Sequence, residues 1–318
     1  MFDSDTPVSL FRTQIKILRS SLPGVLDGQA GAVHDSRIAT RRIREVLPLL
    51  TRHHQQPNPE DDLYNRFRRL GRSLGRVRDA DVRLALLSSL ETRMPHAAPQ
   101  LVVLRQQREQ ERLRLLRKLI KRLERLEAPR LIQQLTEHKT TWSGKMPWRI
   151  KLRPMWKQEL YSTVNLRAKA AADAMAHATG VYFPARLHAA RIAIKKLRYT
   201  MEIVDSVGAA DRRGAIQELK KAQDVLGDIH DRQELMDHLL NTAPQGEPEP
   251  HGEIALLHQV IEAEIHELHS RYLARRESLL AICQPSAARR PVLLPSMLTA
   301  GAMALSTGVL AFRRRRAS

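Results

Sequence analysis

Apolar positions along the chain repeat with helical rather than strand periodicity. Val8, Phe11, Ile15, Leu18 and Leu22 alternate at spacings of three and four, so they form one stripe on a helix. Pro23 and Gly24 are expected to interrupt that helix. Further helical runs follow over about 31–52, 61–91 and 98–127 or beyond, the first two separated by the turn sequence QQPNPED. No series of alternating positions predicts β-strands.

The segment HKTTWSGKMPWRIKLRP breaks this pattern with Gly144, Pro147 and Pro154, and predicts a linker between two halves. Four more helical runs cover about 155–178, 184–207, 211–241 and 252–283. The expected organisation is therefore a four-helix half over 1–138, a linker over 139–154, a second four-helix half over 155–285 and a tail over 286–318.

The halves resemble one another. VHDSRIATRRIREVLPLL at 33–50 aligns without a gap on LHAARIAIKKLRYTMEIV at 187–204. FRRLGRSLGRVRDADV at 67–82 aligns on LKKAQDVLGDIHDRQE at 219–234, in the same order and at nearly the same offset. This predicts an all-α fold of two tandem four-helix bundles related by internal duplication.

The composition is ordinary except in its charge. The 318 residues hold 53 Lys and Arg against 34 Asp and Glu, a formal net charge of +19. Such an excess attracts anions: nucleic acid, polyphosphate or acidic membrane surfaces. Aromatic residues make up only 4% of the chain. Proteins that grip single strands stack bases on aromatic rings, so this balance favours a ligand that is mostly phosphate. Cys283 is the only cysteine, which excludes an internal disulfide and fits a reduced, cytoplasmic setting. The N-terminal MFDSDTPVSLFRTQIK has no apolar core of a secretory signal.

The charge is organised. At 100° per residue, His34, Arg37, Arg41 and Arg44 lie within about 80° of one another, opposite Ala39, Ile43, Val46, Leu47 and Leu50. His188, Arg191, Lys195 and Arg198 repeat the arrangement, backed by Leu197, Met201 and Val204. On the third helix Leu63, Phe67, Leu70, Leu74 and Val77 face inward, and Arg69, Arg72 and Arg76 lie among the residues facing out. The second copy keeps Lys220 and Lys221 but has Asp224 and Asp228 where the first has Arg72 and Arg76. A solvated helix face usually mixes signs, because like charges at i,i+4 repel. The four-residue faces within 34–44 and 188–198 do not mix them, and that pattern occurs twice.

Asp79 and Asp231, at matching positions in LGxxxD, are expected to orient neighbouring arginines, and Gly75 and Gly227 to allow close helix contact. His53 and His54 are adjacent and read as surface residues. Histidines with so few acidic or thiol partners predict no metal site, and no cofactor is expected.

In their order, HDSRIATRRIR, LGRVRDADV, HAARIAIKKLRY and LGDIHD resemble the motifs of the CHAD family, the conserved histidine α-helical domain, over residues 8–283. The resemblance implies two four-helix bundles about a pseudo-twofold, basic residues lining a central cavity or pore, and binding of inorganic polyphosphate at polyphosphate granules. By motif match it implies contacts from His34, Arg37, Arg41, Arg44, His188, Arg191, Lys195 and Arg198, to which the third helices add Arg69, Arg72, Arg76, Lys220 and Lys221. The ExExK signature of the CYTH triphosphatase domain that often precedes CHAD domains does not occur.

Residues 292–312, VLLPSMLTAGAMALSTGVLAF, carry no charge and are followed by Arg313 to Arg316. Their length suits a bilayer anchor; a docking segment for a granule surface or for another subunit is the other reading. The expected function is non-catalytic polyphosphate binding. The alternatives are nonspecific nucleic-acid binding and a metal-dependent phosphatase or kinase.

Overall fold

A computed structural model describes residues 6–50, 59–137, 153–209, 211–242 and 253–284. The described residues are helical, without strands. Helices α1 (Pro7–Leu26), α2 (Ala30–Leu50), α3 (Pro59–Arg93), α4 (Ala98–Arg125) and α5 (Ala128–Glu137) are followed by α6 (Trp156–His177), α7 (Pro184–Ser206), α8 (Arg213–Thr242) and α9 (Glu253–Cys283). A 3₁₀ turn, Pro95–Ala97, precedes α4.

The apolar stripes form the core. Phe11, Ile15, Leu18 and Leu22 of α1 are buried, as are Ala39, Ile43, Val46, Leu47 and Leu50 of α2. The inward residues of α3, from Leu63 to Val77, and Leu197, Met201 and Val204 of α7 are buried too.

Two sequence expectations are corrected. Helix α1 does not stop at Pro23 but runs through it to Leu26. A proline this near the end removes one donor from the last turns, and the chain turns instead at Gly28, in the left-handed conformation at φ 74°. Gly24 serves packing: a Cβ there would lie 2.7 Å from that of Ala32. The second correction is α5. The left-handed residue Glu127, at φ 44°, ends α4, and Pro129 sits in the first turn of a new helix. Among the described residues the first part of the chain thus has five helices.

Helix α2 packs on α1 and α3, α3 on α4, and α5 on α1 and α4. In the second part α7 packs on α6 and α8, and α9 packs on both α8 and α6. The two parts meet where α2 contacts α6 and α7, and again where the 3₁₀ turn contacts α9. Arg153 ties that junction. Its backbone N–H donates to Leu49 O at 3.1 Å, its guanidinium to Pro48 O at 3.2 Å, and it pairs with Glu159 at 2.9 Å. Carbonyls at the end of α2, which lack partners within the helix, are satisfied this way. Most of the expected linker lies outside the described residues.

No helix among the described residues is long and apolar enough to cross a membrane. The stretch 292–312, and His53 and His54, lie outside the described residues.

Candidate anion-binding site at the crossing of α2 and α7

The polar faces of α2 and α7 meet at their crossing. Arg41 of α2 donates to Glu202 of α7 at 3.3 Å, and its guanidinium lies 3.4 Å from the centroid of the Tyr199 ring. Arg42 approaches the same carboxylate at 3.7 Å. From one turn back on α7, Arg198 donates to Glu202 at 2.6 Å and to Gln223 at 3.1 Å. One carboxylate therefore organises three guanidinium groups from two helices.

The next turn toward the start of each helix carries Lys195 and Arg37. Burial pushes Lys195 down to about 8, reinforced by the positive charges of Arg191, Arg37 and Arg41 and opposed by Asp79. Cations from residues far apart in sequence thus share one electrostatic neighbourhood. Arg37 pairs with Asp79 at 3.4 Å, both partners substantially exposed. The orienting role expected of Asp79 has this geometry.

Gly75 and Gly227 each lie beneath a guanidinium from the neighbouring helix. A Cβ at Gly75 would lie 3.6 Å from Arg37 Nε, and one at Gly227 3.6 Å from Arg191 Nε. Gly71 is tighter, with Arg44 Nη1 3.2 Å from the same position. These small residues give the arginines lanes across α3 and α8.

Several donors on these arms remain open. The Nε groups of Arg41, Arg44 and Arg191 are shielded from solvent and meet no acceptor among the described residues, and the same holds for His188 Nδ1. A buried N–H without an acceptor is unusual in a folded protein and asks for a ligand or a water.

The His188 and His230 rings lie 4.6 Å apart, centroid to centroid. Burial lowers the pKa of both, and nearby Arg191 lowers it further. His230 stands 3.6 Å from Glu234, which also accepts from Arg83 of α3 at 2.6 Å. Burial raises Asp231 to about 6 despite the opposing charge of Arg191. Beside this cluster lies a cleft of about 280 Å³, lined among others by Arg83, Arg108, Asp231, Glu234 and His238. Its lining mixes both signs with leucines.

The remaining expected residues are placed less centrally. His34 is exposed on α2; burial of its ring is the first cause of its lowered pKa, and Arg78 is the second. Arg72 and Arg76 are exposed on α3 and meet no carboxylate among the described residues, while Arg69 is half-buried. Lys220 is exposed, and Lys221 turns aside to Glu218 at 2.7 Å. Arg198 does not project from an open face as the helical wheel predicts: it is 9% exposed, because Glu202 and Gln223 draw it inward. Sequence reasoning missed Tyr199, Glu202 and His230. Tyr199 closes the motif HAARIAIKKLRY, Glu202 follows it by three residues and His230 lies inside LGDIHD, but their role depends on which helices meet.

The sequence matches the family described as CHAD domain over residues 9–240. Among solved structures, PptA from Streptomyces chartreusis aligns with a TM-score of 0.61 at 16% identity, covering 88% of this chain and 99% of that one. The CHAD domain from the plant Ricinus communis aligns with a TM-score of 0.57 at 19% identity, covering 91% of this chain and 94% of that one. At such identities the likeness concerns the fold. No curated protein sequence matches the chain.

Proposed function

The chain belongs to the CHAD domain family, and from that premise we propose that it is a non-catalytic binder of inorganic polyphosphate. One observation carries the reading: Arg37 and Arg41 of α2 share one electrostatic neighbourhood with Arg191 and Lys195 of α7, where burial first, and these neighbouring charges after it, hold Lys195 down to about 8. Holding like charges together in a partly buried place opposes folding, and a bound polyanion supplies the missing counter-charge. Unmet Nε donors on Arg41, Arg44 and Arg191 support it, since guanidinium forks match phosphate oxygens. A linear polyanion engages many such arms at once, so weak contacts sum to strong binding.

In this reading the two parts of the chain are tandem four-helix bundles produced by duplication, α5 being an addition to the first, and their basic faces line a shared central cavity. The matched placement of Arg37 over Gly75 and Arg191 over Gly227 supports that relationship. Association with polyphosphate granules follows from the ligand.

Competition tests the reading. Polyphosphate should displace duplex DNA from the protein at equal phosphate concentration, while DNA should displace polyphosphate poorly. The reverse order would favour nucleic acid as the ligand. Release of phosphate from polyphosphate by the pure protein, with or without magnesium or manganese, would overturn the non-catalytic part.

A further inference from the structure

Helix α4 treats its cations in two ways. In its first half they are paired: Arg105 with Glu91 at 2.9 Å and Glu109 at 2.6 Å, Arg108 with Glu111 at 2.6 Å, and Arg112 with Asp81 at 2.5 Å. In its second half Arg114, Arg117, Lys118, Lys121 and Arg125 are all exposed, and none meets a carboxylate among the described residues. At 100° per residue these five fall within about 100° of one another, along roughly 16 Å of helix. Glu124 is the one acidic residue between Glu111 and Glu127.

The stripe is separate from the site on α2 and α7. Helix α4 packs on α3, α5 and the 3₁₀ turn. Its buried Leu119 and Leu123 point inward, and Arg112 reaches toward α3, on the side of α4 opposite Arg114 and Lys121. Favourable interaction with the helix dipole accounts for cations in the last turn only, so it explains Arg125 but not Arg114, Arg117 or Lys118. Spacings of three and four between like charges are mutually repulsive in the free protein. A counter-charge outside the chain relieves that repulsion.

We infer that this face of α4 is a second contact surface for a linear polyanion, taking a further segment of the inorganic polyphosphate chain held at α2 and α7. The inference rests on the proposed function for the identity of the polyanion. The shape of the surface favours a chain over the alternatives. Five cations in one row on a convex helix match a flexible line of phosphates. A membrane plane is better met by charges spread over several elements, and no aromatic ring lies in the row for bases to stack on.

Two surfaces on one protein make affinity depend on ligand length. Tripolyphosphate occupies the α2/α7 site alone, whereas long-chain polyphosphate reaches both and gains by avidity. The test uses the full chain and a variant with Arg114, Arg117, Lys118, Lys121 and Arg125 all changed to Gln, which preserves helix propensity; circular dichroism checks its fold. We expect this variant to lose about tenfold or more in affinity for long-chain polyphosphate and to bind tripolyphosphate as the parent does. Unchanged long-chain affinity would overturn the inference. So would a loss confined to phosphatidylserine vesicles or to duplex DNA, which would assign the face to those partners. If the parent bound neither polyphosphate, the proposed function itself would fail, an outcome distinct from failure of the α4 surface alone.

Discussion

The guanidinium of Arg41 on α2 lies 3.4 Å from the ring centroid of Tyr199 on α7. Arg198 approaches the same ring at 4.8 Å. The ring thus places two cations from different helices side by side, and its face offsets part of their repulsion. Tyr199→Leu is expected to lower the unfolding free energy by about 1–2 kcal/mol, and Tyr199→Phe to leave it near the parent's. Urea denaturation of both variants checks this; equal losses would mean that the hydroxyl, not the ring face, matters.

Glu202 separates positioning from simple charge. Its carboxylate holds Arg41, Arg42 and Arg198, and its side chain is 11% exposed. Removing one member of a mostly buried ion-pair cluster leaves the others uncompensated, so Glu202→Gln should cost about 2–3 kcal/mol of stability. If Glu202 only repelled a polyanion, its neutralisation would tighten binding. We expect polyphosphate affinity to fall instead, because Arg41 and Arg198 lose their anchor. Titration calorimetry on the folded variant distinguishes the two outcomes.

Lys195 gives binding and stability opposite responses to pH. Its folded-state pKa of about 8 lies below its ordinary value of 10.5. As pH rises through 8 the folded protein loses this charge first, so affinity for a polyanion should fall. Over the same range the unfolded chain still binds the proton, so the stability of the free protein should rise toward pH 10.5. Lys195→Arg keeps the charge and should flatten both trends. A parent affinity that does not change between pH 7 and 9 would remove Lys195 from the site.

Much of this was legible from the sequence because helix faces are local. The 3.6-residue period of Ala39, Ile43 and Leu47 identifies the buried side of α2, and with it the exposed side of Arg37 and Arg41. What sequence reasoning missed depends on tertiary partners. Arg198 occupies an outward position by periodicity, yet Glu202 and Gln223 pull it under. Helix α1 ends later than its sequence predicts because Pro23 is a weaker stop near a C-terminus than the left-handed Gly28. Helix α5 is hard to separate from α4 by periodicity because its ten residues follow after a single left-handed residue, Glu127.

The two helices of the site need not contribute equally. Exposed Arg72 and Arg76 flank the α2 side, whereas Asp224 and Asp228 stand on α8, where burial raises Asp228 above the usual carboxylate range. Changing Arg37 and Arg44 to Glu should therefore weaken polyphosphate binding more than changing Arg191 and Lys195 to Glu. Each lost phosphate contact should also reduce the slope of log affinity against log salt by about one. Fluorescence titrations at several salt concentrations measure both. If both double variants bound like the parent, the α2/α7 site would be wrong.

Cys283, at the end of α9, reports whether the helical unit stands without the residues that follow it. The thiol is 7% exposed, and burial pushes its pKa up to about 11. Only the thiolate attacks alkylating reagents, so at neutral pH roughly one molecule in ten thousand is reactive even before access is considered. Labelling by iodoacetamide should then require opening of the helix end and should track unfolding. The compact unit runs from Met1 to Gln284. A fragment ending at Gln284 is therefore expected to melt cooperatively, to bind polyphosphate with the parent's affinity, and to protect Cys283 as well as the full chain does. Immediate labelling in the fragment, with slow labelling in the full chain, would mean that residues beyond Gln284 hold α9 in place and belong to the folded core.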